Sequence, residues 1–471
     1  MIRPASETLR SGLLLGVLAL TAYAGAWQGD FQFDDMPTIL ENPHFDGWRT
    51  FVGHLDHLIR PVLAATFLAD RALYGESPVG YHLLNLLLHL ASGWLVFAVV
   101  KRAALTESRS VPLLTALVFL VHPIQTETVT YISGRATGLM AFWYLLALFL
   151  YLKATGECKG LWQAAWFHLA ASLSFLCALG AKETAVTFPA ALWLWEMTIG
   201  RARSVESGRR AFTSHPVYWL LLAGVGLWAW SHPRYQALAQ FSATLRPPVE
   251  QGLSELHAVW YSVALVVFPW LQSFDHDLPS MTSVTQWPAP VDLAALLAFV
   301  LAIVLLVRRG DHLLTFALGW WALQMLPAHS LVARADLLSE RNLYLPVFGL
   351  VLAMTVAAMR VLVRYGGDGE AGRIVTMAGR SAAVMIVCLC IVLTAQRNRL
   401  YQDPVFLWED TVRRSPSKAR PHNNLGHAYA LAGRWELAIE EFRMAARINP
   451  DYPVAQENLR KAYLHQVGRL R

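Results

Sequence analysis

Apolar runs long enough to cross a bilayer recur from the first residues of this chain almost to its C-terminal tail. A helix needs roughly 20 apolar residues to span a membrane. Only 15% of the 471 residues are charged, against about a quarter in soluble domains. The pattern predicts an all-α, polytopic transmembrane helical bundle and excludes one large soluble domain, a disulfide scaffold and a disordered protein. The runs lie at 9–27, 79–100, 111–128, 136–152, 161–180, 184–199, 216–231, 257–271, 290–307, 312–329, 343–361 and 378–396.

Basic residues between these runs predict the orientation of the chain. Lys101, Arg102, Arg308 and Arg309 border apolar runs on one side, and basic loops stay in the cytoplasm. The long loop 28–76 and the C-terminal tail are then expected on the other side. Membrane crossings counted from the N-terminus and from the C-terminus give the same orientation only if one of the twelve runs does not cross the membrane. The short run 257–271 is the first candidate for that exception, and 216–231 is the second.

The last 75 residues differ from the rest, since 21 of them are charged. Within 419–452, small, aromatic and proline residues recur at the positions of a tetratricopeptide (TPR) helix pair. We therefore expect a transmembrane domain over 1–396 and a TPR domain over 397–471. So short an array either caps the membrane domain or binds another molecule. The residues that carry the repeat are Leu425, Gly426, Tyr429, Gly433, Ala438, Phe442, Ala445 and Pro450.

Two adjacent carboxylates, Asp34 and Asp35, follow the first apolar run and precede Met36-Pro37. Such a pair serves as a general base, as a metal ligand, or as an N-cap ahead of the proline. Spacing alone favours the cap, but the polar residues elsewhere on the same side of the membrane favour chemistry.

Polar residues also interrupt the predicted outer ends of several other runs. Taken singly, each is typical of an interhelical hydrogen bond, a snorkelling side chain or an ion pair. Together they place acids and bases at one depth on one side of the membrane. That arrangement suits a reaction on a lipid-linked anion, in which a carboxylate deprotonates an acceptor and cations stabilise the departing phosphate. The residues are Arg60, His82, Asn85, His89, His122, Glu127, Arg135, Lys182, Glu183, Arg334, Glu340 and Arg341.

The motifs around these residues resemble, in order, those of the transmembrane and TPR O-mannosyltransferases of the GT-C glycosyltransferase superfamily. The resemblance covers most of the chain, including the tail. It departs at Gly134-Arg135-Ala136-Thr137, where an acid commonly follows the alanine, and at Asn342. The matching motifs are Phe33-Asp34-Asp35, Arg60-Pro61, Tyr81-His82, His122-Pro123 with Thr126-Glu127, Gly134-Arg135, Lys182-Glu183 and Glu340-Arg341 with Leu343-Tyr344-Leu345-Pro346.

The resemblance implies an inverting transfer of a mannose-like sugar from a polyprenyl-phosphate-linked donor to a hydroxyl on the extracytoplasmic face. Asp34 or Asp35 would be the general base, and we favour Asp35 because the turn at Met36-Pro37 anchors it near the bilayer. The donor phosphate would bind Arg341, Arg334, Lys182 and Arg135. The residues expected to bind substrate or to orient these cations are Glu183, Glu127, His89, His122, Arg60 and Glu340.

On this interpretation no cofactor is required, since cations of the protein neutralise a monophosphate leaving group. A divalent cation at Asp34 and Asp35 is the alternative. The expected partners are the lipid-linked donor, a protein or glycan acceptor and the bilayer, with the tail contacting the acceptor or a partner protein. Nucleic acid is not expected, because no basic stripe accompanies the basic pI. The short tail favours a bacterial inner membrane, with the active site and the tail in the periplasm.

Two other functions remain compatible with these residues. A polymerase or ligase of lipid-linked glycans shares the chemistry and differs in its acceptor. A non-catalytic TPR membrane scaffold for envelope assembly gives no reason for acids and bases to gather on one face. A transporter would place charges through the midplane and on both faces.

Overall fold

The computed structural model describes residues 4–42, 47–55, 58–104, 108, 110–158, 160–200, 205–330 and 332–469. Every long regular segment within these ranges is a helix, which confirms the all-α prediction. Six helices in the described part are long and apolar enough to cross a membrane, so the chain is a multi-pass integral membrane protein. They are Pro78–Ala103, Ile132–Gly156, Leu161–Ala181, Ala289–Arg308, Pro346–Tyr365 and Glu370–Leu400.

The remaining α-helices are shorter or less apolar. The run 111–128 is interrupted because His122 is extended ahead of Pro123, which ends the preceding helix at Val121. The run 257–271 begins inside helix Pro248–Val267 and extends past its end into the short helix Pro269–Leu271. Helix Pro248–Val267 is not among the six spanning helices. The number of crossings remains a prediction. These helices are Pro4–Ala22, Trp48–Gly53, Pro61–Tyr74, Ser110–Val121, Thr126–Val129, Phe188–Trp195, Val205–Ser231, Pro233–Leu245, Pro248–Val267, His312–Met325, Pro404–Arg414, Ala419–Leu431, Trp435–Ile448 and Pro453–Arg469.

Two of the spanning helices form the centre of the bundle and two face its surroundings. The most apolar windows of Pro78–Ala103 and Ile132–Gly156 are 67% and 72% buried, whereas those of Ala289–Arg308 and Glu370–Leu400 are 6% and 11% buried. In a bilayer, lipid covers the apolar side chains that the bundle leaves open. The central helices are therefore the rigid support for the loops at their ends.

The tail contains the predicted TPR helix pair. Helices Ala419–Leu431 and Trp435–Ile448 are joined by a turn in which Gly433 has a positive φ of 74°. A side chain at Gly426 would lie 2.7 Å from the Phe442 ring, so the glycine lets the helices approach. The repeat prediction is confirmed. The last spanning helix continues to Leu400, past the predicted boundary at 396, and that boundary remains a prediction.

Loops from distant parts of the sequence meet at one end of the bundle. The helix ends there include Pro78, Arg135, Ala181 and Leu400, and short one-turn helices connect them. The tail lies at the same end, where Arg397 of the last spanning helix pairs with Asp410 at 3.6 Å. This end carries the polar residues that the sequence singled out.

Candidate active site

The first loop places its two adjacent carboxylates in different surroundings. Asp35 is 1% exposed. Its carboxylate accepts hydrogen bonds from the backbone N–H of Gln32 at 3.0 Å and from that of Ser133 at 2.8 Å, and the Ser133 hydroxyl also donates to it. Burial raises the pKa of Asp35 to about 7, although these donors act in the opposite direction. Asp35 precedes the short helix Met36–Leu40 but makes no side-chain cap to it. It ties the first loop to the turn at Ser133 instead.

Asp34, in contrast, lines a cavity of about 170 Å³ at the end of the bundle. Its backbone N–H donates to the Tyr131 hydroxyl at 3.1 Å, which fixes the turn. Burial raises the pKa of Asp34 above its ordinary value of 3.8, and the positive charge of Arg341 and the Tyr131 hydroxyl partly offset that rise. The placement reverses our preference for Asp35, because Asp34 is the carboxylate that the cavity exposes.

The cavity is lined by acidic, basic and aromatic side chains from five parts of the sequence. Its two arginines each lie beside carboxylates: Arg341 beside Glu127, and Arg420 beside Asp275 and Asp336. This composition can bind a polar ligand through its hydroxyl groups and stabilise charge on it. The lining residues are Phe33, Asp34, Glu127, Phe274, Asp275, Asp336, Leu338, Ser339, Arg341, Trp408 and Arg420.

Glu127 holds Arg341 in place at this cavity. Its carboxylate accepts the Arg341 backbone N–H and the Ser339 hydroxyl, each at 3.0 Å. It also lies 3.4 Å from the Arg341 guanidinium, and Ser339 accepts from the guanidinium Nε at 3.1 Å. A side chain at Gly134 would lie 2.3 Å from the Glu127 carbonyl, so this glycine is required where the turn closes. Glu127 therefore orients Arg341 in this structure, which is one of the two roles that the resemblance implied for it.

Lys182 lies beside this pair, with two neutral oxygen atoms as partners. Its ammonium donates to the Thr137 hydroxyl at 2.8 Å and to the Asn342 amide oxygen at 2.9 Å. Burial, followed by the charges of Arg341, Arg60 and Arg334, lowers the pKa of Lys182 well below its ordinary value. Several cations are thus crowded together, and an anion placed among them would be stabilised.

The other two cations of this group have protein partners of their own. Arg60 makes a two-point contact with Glu183, at 3.1 Å and 2.8 Å, and the Tyr235 hydroxyl donates to the same carboxylate at 3.3 Å. Arg334 is half-buried and donates to the Pro327 carbonyl at 3.3 Å. Glu183 therefore orients Arg60 in this structure.

Arg135 lies apart from the other predicted phosphate ligands. It is 0% exposed, and its guanidinium lies 2.5 Å from the Asp70 carboxylate. It also donates to Asn85 at 2.7 Å and to the Tyr81 carbonyl at 2.8 Å. These contacts join the helix of Arg135 to helices Pro61–Tyr74 and Pro78–Ala103. A buried guanidinium with these partners favours bracing over the phosphate role expected of Arg135.

Replacing Arg135 is expected to destabilise the protein. Arg135→Met leaves the Asp70 carboxylate buried without its cation, which costs about 3–5 kcal/mol in comparable buried pairs. Thermal unfolding in detergent, followed by intrinsic fluorescence, measures the loss. Arg460→Ala, which breaks the exposed pair with Glu457, serves as the control and should melt like the wild type. An unchanged melting temperature for Arg135→Met would contradict the bracing role.

Three more predicted residues also brace the structure. Glu340 is fully buried and accepts from the Ser273 backbone N–H at 2.6 Å and from His276 at 3.0 Å, and it pairs with Arg397 at 3.4 Å. His89 contacts the Tyr344 hydroxyl and the Leu120 carbonyl, both at 2.8 Å. His122 contacts the Val266 carbonyl at 2.9 Å. Of the two roles that the sequence left open for the histidines, the contacts favour bracing.

The sequence did not single out several residues that the fold brings to the cavity. Asp275 and Asp336 come from two loops, and Trp408 and Arg420 come from the tail. Arg420 pairs with both acids, at 2.6 Å and 2.7 Å. The available signal was the presence of acids in predicted outer loops together with basic residues at the start of the repeat. Nothing in their spacing linked them.

The acidic pair does not converge on one point, because Asp35 is engaged by Ser133 and Gln32 while Asp34 lines the cavity. Over the part of the chain that the structure describes, no group of three or more His, Cys, Asp or Glu side chains is placed to hold a metal ion. The two carboxylates thus have different surroundings in this structure.

These features define a multi-pass helical membrane protein with a TPR tail and a cavity lined by carboxylates and arginines at one end of the bundle. No protein-family model matches the chain. The chain is similar over 92–96% of its length to proteins named Protein O-mannosyl-transferase, which confirms the resemblance predicted from the motifs.

These relatives come from three animals. Tmtc3 of Drosophila melanogaster is 25% identical, over 96% of this chain and 56% of its own length. F38B6.6 of Caenorhabditis elegans is 24% identical, over 95% and 64%. TMTC4 of Mus musculus is 26% identical, over 92% and 65%. The chain therefore spans less than two thirds of the length of the relatives it matches.

Proposed function

We propose that this protein is a membrane O-mannosyltransferase that moves mannose from a polyprenyl-phosphate-linked donor to a hydroxyl of a protein acceptor. The observation that carries the proposal is the shared cavity, in which the Asp34 carboxylate and the Arg341 guanidinium face the same space. The names of the relatives support the sugar and the acceptor class. A scaffold would have no use for a buried acid and cations gathered at one cavity.

In the proposed reaction, Asp34 is the general base. The acceptor hydroxyl gives its proton to the Asp34 carboxylate while its oxygen forms a bond to C1 of the sugar. The bond from C1 to the phosphate oxygen breaks, and its electron pair leaves with the polyprenyl phosphate. Because attack and departure take place on opposite faces of C1, the configuration at that carbon is inverted. No metal ion takes part in these steps.

The leaving phosphate is assigned to the side of the cavity where cations are crowded. The charge of Arg341 lowers the pKa of both Asp34 and Lys182, so Arg341 is close to both groups. Arg334 and Arg60 add positive charge to the same region. Developing negative charge on the phosphate would be stabilised there by groups that are already in place. We assign Arg135 to bracing, and Glu127 and Glu183 to orienting the cations.

The extracytoplasmic side is supported by the charges at the opposite end of the bundle. Basic side chains occupy the last turns of the spanning helices away from the cavity, and such residues stay in the cytoplasm. The cavity and the tail would then face the periplasm of a bacterial inner membrane. The basic residues are Lys101, Arg102, Lys153, Arg308 and Arg364.

Reconstituted protein tests the proposal directly. Vesicles would contain polyprenyl-phosphate-linked radiolabelled mannose, and serine- and threonine-containing peptides would be supplied on the cavity side. We expect label on peptide, released by alkaline β-elimination. Label recovered in a lengthened lipid-linked glycan would instead indicate the polymerase or ligase. If the donor is not consumed and Asp34→Asn vesicles behave identically, the protein is not an enzyme of this class.

The pH dependence of transfer should report on Asp34. The base works as a carboxylate, so the rate is full above its raised pKa and falls as the pH drops through that value. Tyr131→Phe removes a hydroxyl that lowers the pKa of Asp34, so that pKa should rise. The acid limb of the rate–pH profile, where the rate falls at low pH, should then move to higher pH. Rate–pH profiles measure the shift. Tyr144→Phe, which removes a hydroxyl bound to Thr187 and Gln324 inside the bundle, should leave the limb in place. An acid limb that moves to lower pH in Tyr131→Phe would contradict the assignment.

A further inference from the structure

The residue before Asp34 has an unusual backbone conformation. Phe33 has a φ of 47°, in the left-handed region that a bulky residue rarely adopts. Such a conformation persists only where its surroundings enforce it, and it is concentrated at functional sites. The direction of the following side chain, that of Asp34, depends on this turn.

Two aromatic rings contact Phe33, and one of them belongs to the tail. The Phe33 ring lies edge-on to Trp408 with centroids 5.5 Å apart, and edge-on to Phe274 at 6.3 Å. Trp408 and Phe274 also contact each other at 5.3 Å. Trp408 is only 4% exposed, so its position is fixed by packing within the tail. The strained turn therefore rests against a rigid part of the tail.

The tail also fixes the loop that carries Phe274. Lys418 donates to the Asp275 carboxylate at 2.5 Å, and the Arg420 Nε donates to it at 2.7 Å. The Ser415 hydroxyl donates to the Asp275 carbonyl at 2.6 Å. Phe274 in turn packs on Tyr131 with centroids 5.3 Å apart, and the Tyr131 hydroxyl accepts the Asp34 N–H. Both contacts that set the Asp34 turn thus lead back to the tail.

We propose that the C-terminal tail is a component of the active site, and that Trp408 is a positioning residue that holds Phe33 and thereby aims Asp34 into the cavity. The proposal rests on the proposed function for the meaning of Asp34, but the contacts themselves do not. Arg420 extends the same role, since it lines the cavity while holding Asp275 and Asp336. Of the two roles predicted for the tail, capping the membrane domain or binding another molecule, this proposal takes the first and adds that the cap completes the cavity.

Kinetics of a matched pair of tryptophan variants test the proposal. Trp408→Ala is expected to lower kcat by roughly 10- to 100-fold, because a displacement of about 1 Å at a reacting group can cost that much. KM for the donor should change little, and Trp408→Phe should recover most of kcat. Trp435 is the control, since it stacks on His465 in the tail at 3.7 Å, away from the cavity. Trp435→Ala should keep the wild-type kcat.

The pH profile adds a readout that simple destabilisation would not move. Removing Trp408 admits water to Asp34, so the pKa of Asp34 should fall toward its ordinary value and the acid limb should move to lower pH. Trp435→Ala should leave the limb where it is. The titratable groups that face Asp34 are Asp35, Glu127, Tyr131, Asp275, Asp336, Arg341 and Arg420.

Hydrogen exchange separates this proposal from the proposed function. Exchange at residues 31–40 should rise in Trp408→Ala and remain at the wild-type level in Trp435→Ala, whatever reaction the protein catalyses. If Trp408→Ala does not fold, Phe33→Gly removes the same ring contact, and glycine adopts the required φ without strain. If the wild-type protein transfers no mannose, but exchange still rises in Trp408→Ala and not in Trp435→Ala, only the proposed function is overturned. Wild-type kcat and wild-type exchange in both Trp408→Ala and Phe33→Gly would overturn the role of the tail.

Discussion

Asp34→Asn is expected to lower the rate of mannose transfer by about 100- to 10,000-fold, the usual range for loss of a general base. The amide has the size of the carboxylate but cannot accept the acceptor's proton. The Asp34 carboxylate lines the cavity, so the Asp34→Asn substitution should leave membrane insertion and melting temperature unchanged. The measurement is initial-rate transfer of labelled mannose to peptide by reconstituted protein at equal surface density.

Asp35→Asn is the matched control, because it makes the same chemical change at the adjacent residue. Its new amide group would meet N–H donors from Gln32 and Ser133 that now bind the carboxylate. We therefore expect Asp35→Asn to lower the melting temperature, whereas Asp34→Asn should not. If Asp35→Asn abolishes transfer at wild-type stability while Asp34→Asn remains active, Asp35 is the base and our assignment is wrong.

Arg341→Ala is expected to reduce kcat by roughly 100- to 1,000-fold, as does loss of one donor that stabilises charge in a transition state. Arg341 is held by Glu127 and Ser339 at the cavity, so its guanidinium is positioned before substrate arrives. Negative charge grows on the phosphate as the bond to the sugar breaks, and the loss should therefore appear mainly in kcat. The same reconstituted assay, run over a range of donor concentrations, separates kcat from KM.

An arginine in the tail provides the control for that experiment. Arg443 contacts the Tyr463 hydroxyl at 3.1 Å through its Nε, away from the cavity, and Arg443→Ala should retain wild-type kinetics. Arg341→Lys keeps the charge but replaces the planar guanidinium, which can bind a phosphate at two points, so partial activity is expected. Wild-type kcat in Arg341→Ala would show that another group meets the leaving phosphate.

The fold was predictable because its signals are local. A run of apolar residues such as 79–100 must be helical in a bilayer wherever it lies in the sequence, since its backbone has no other hydrogen-bond partners there. The repeat was predictable for a similar reason. Gly426 and Phe442 belong to one helix pair and contact each other across a single turn.

The site was only partly predictable, because residue type does not reveal surroundings. Asp34 and Asp35 are identical in chemistry, and what separates them is Ser133, about a hundred residues away. Arg135 and Arg341 matched equally good motifs, yet one is closed in a buried pair with Asp70 and the other lines the cavity. Such differences depend on long-range packing, which no local pattern encodes.

The contribution of the tail was the least predictable feature. Trp408 lies 375 residues beyond Phe33 in the sequence and touches it in the fold. Its position against the first loop depends on how the end of the bundle and the tail fit together.

The way in which the tail meets the cavity also leaves room for the array to grow. The tail residues that line the cavity are Trp408 and Arg420, whereas helix Pro453–Arg469 packs on its neighbours in the repeat. Repeat arrays are held by nearest-neighbour interfaces, so units can be added at the far end without altering those already present. Further repeats stacked on this helix would therefore leave the contacts of Trp408 and Arg420 at the cavity unchanged.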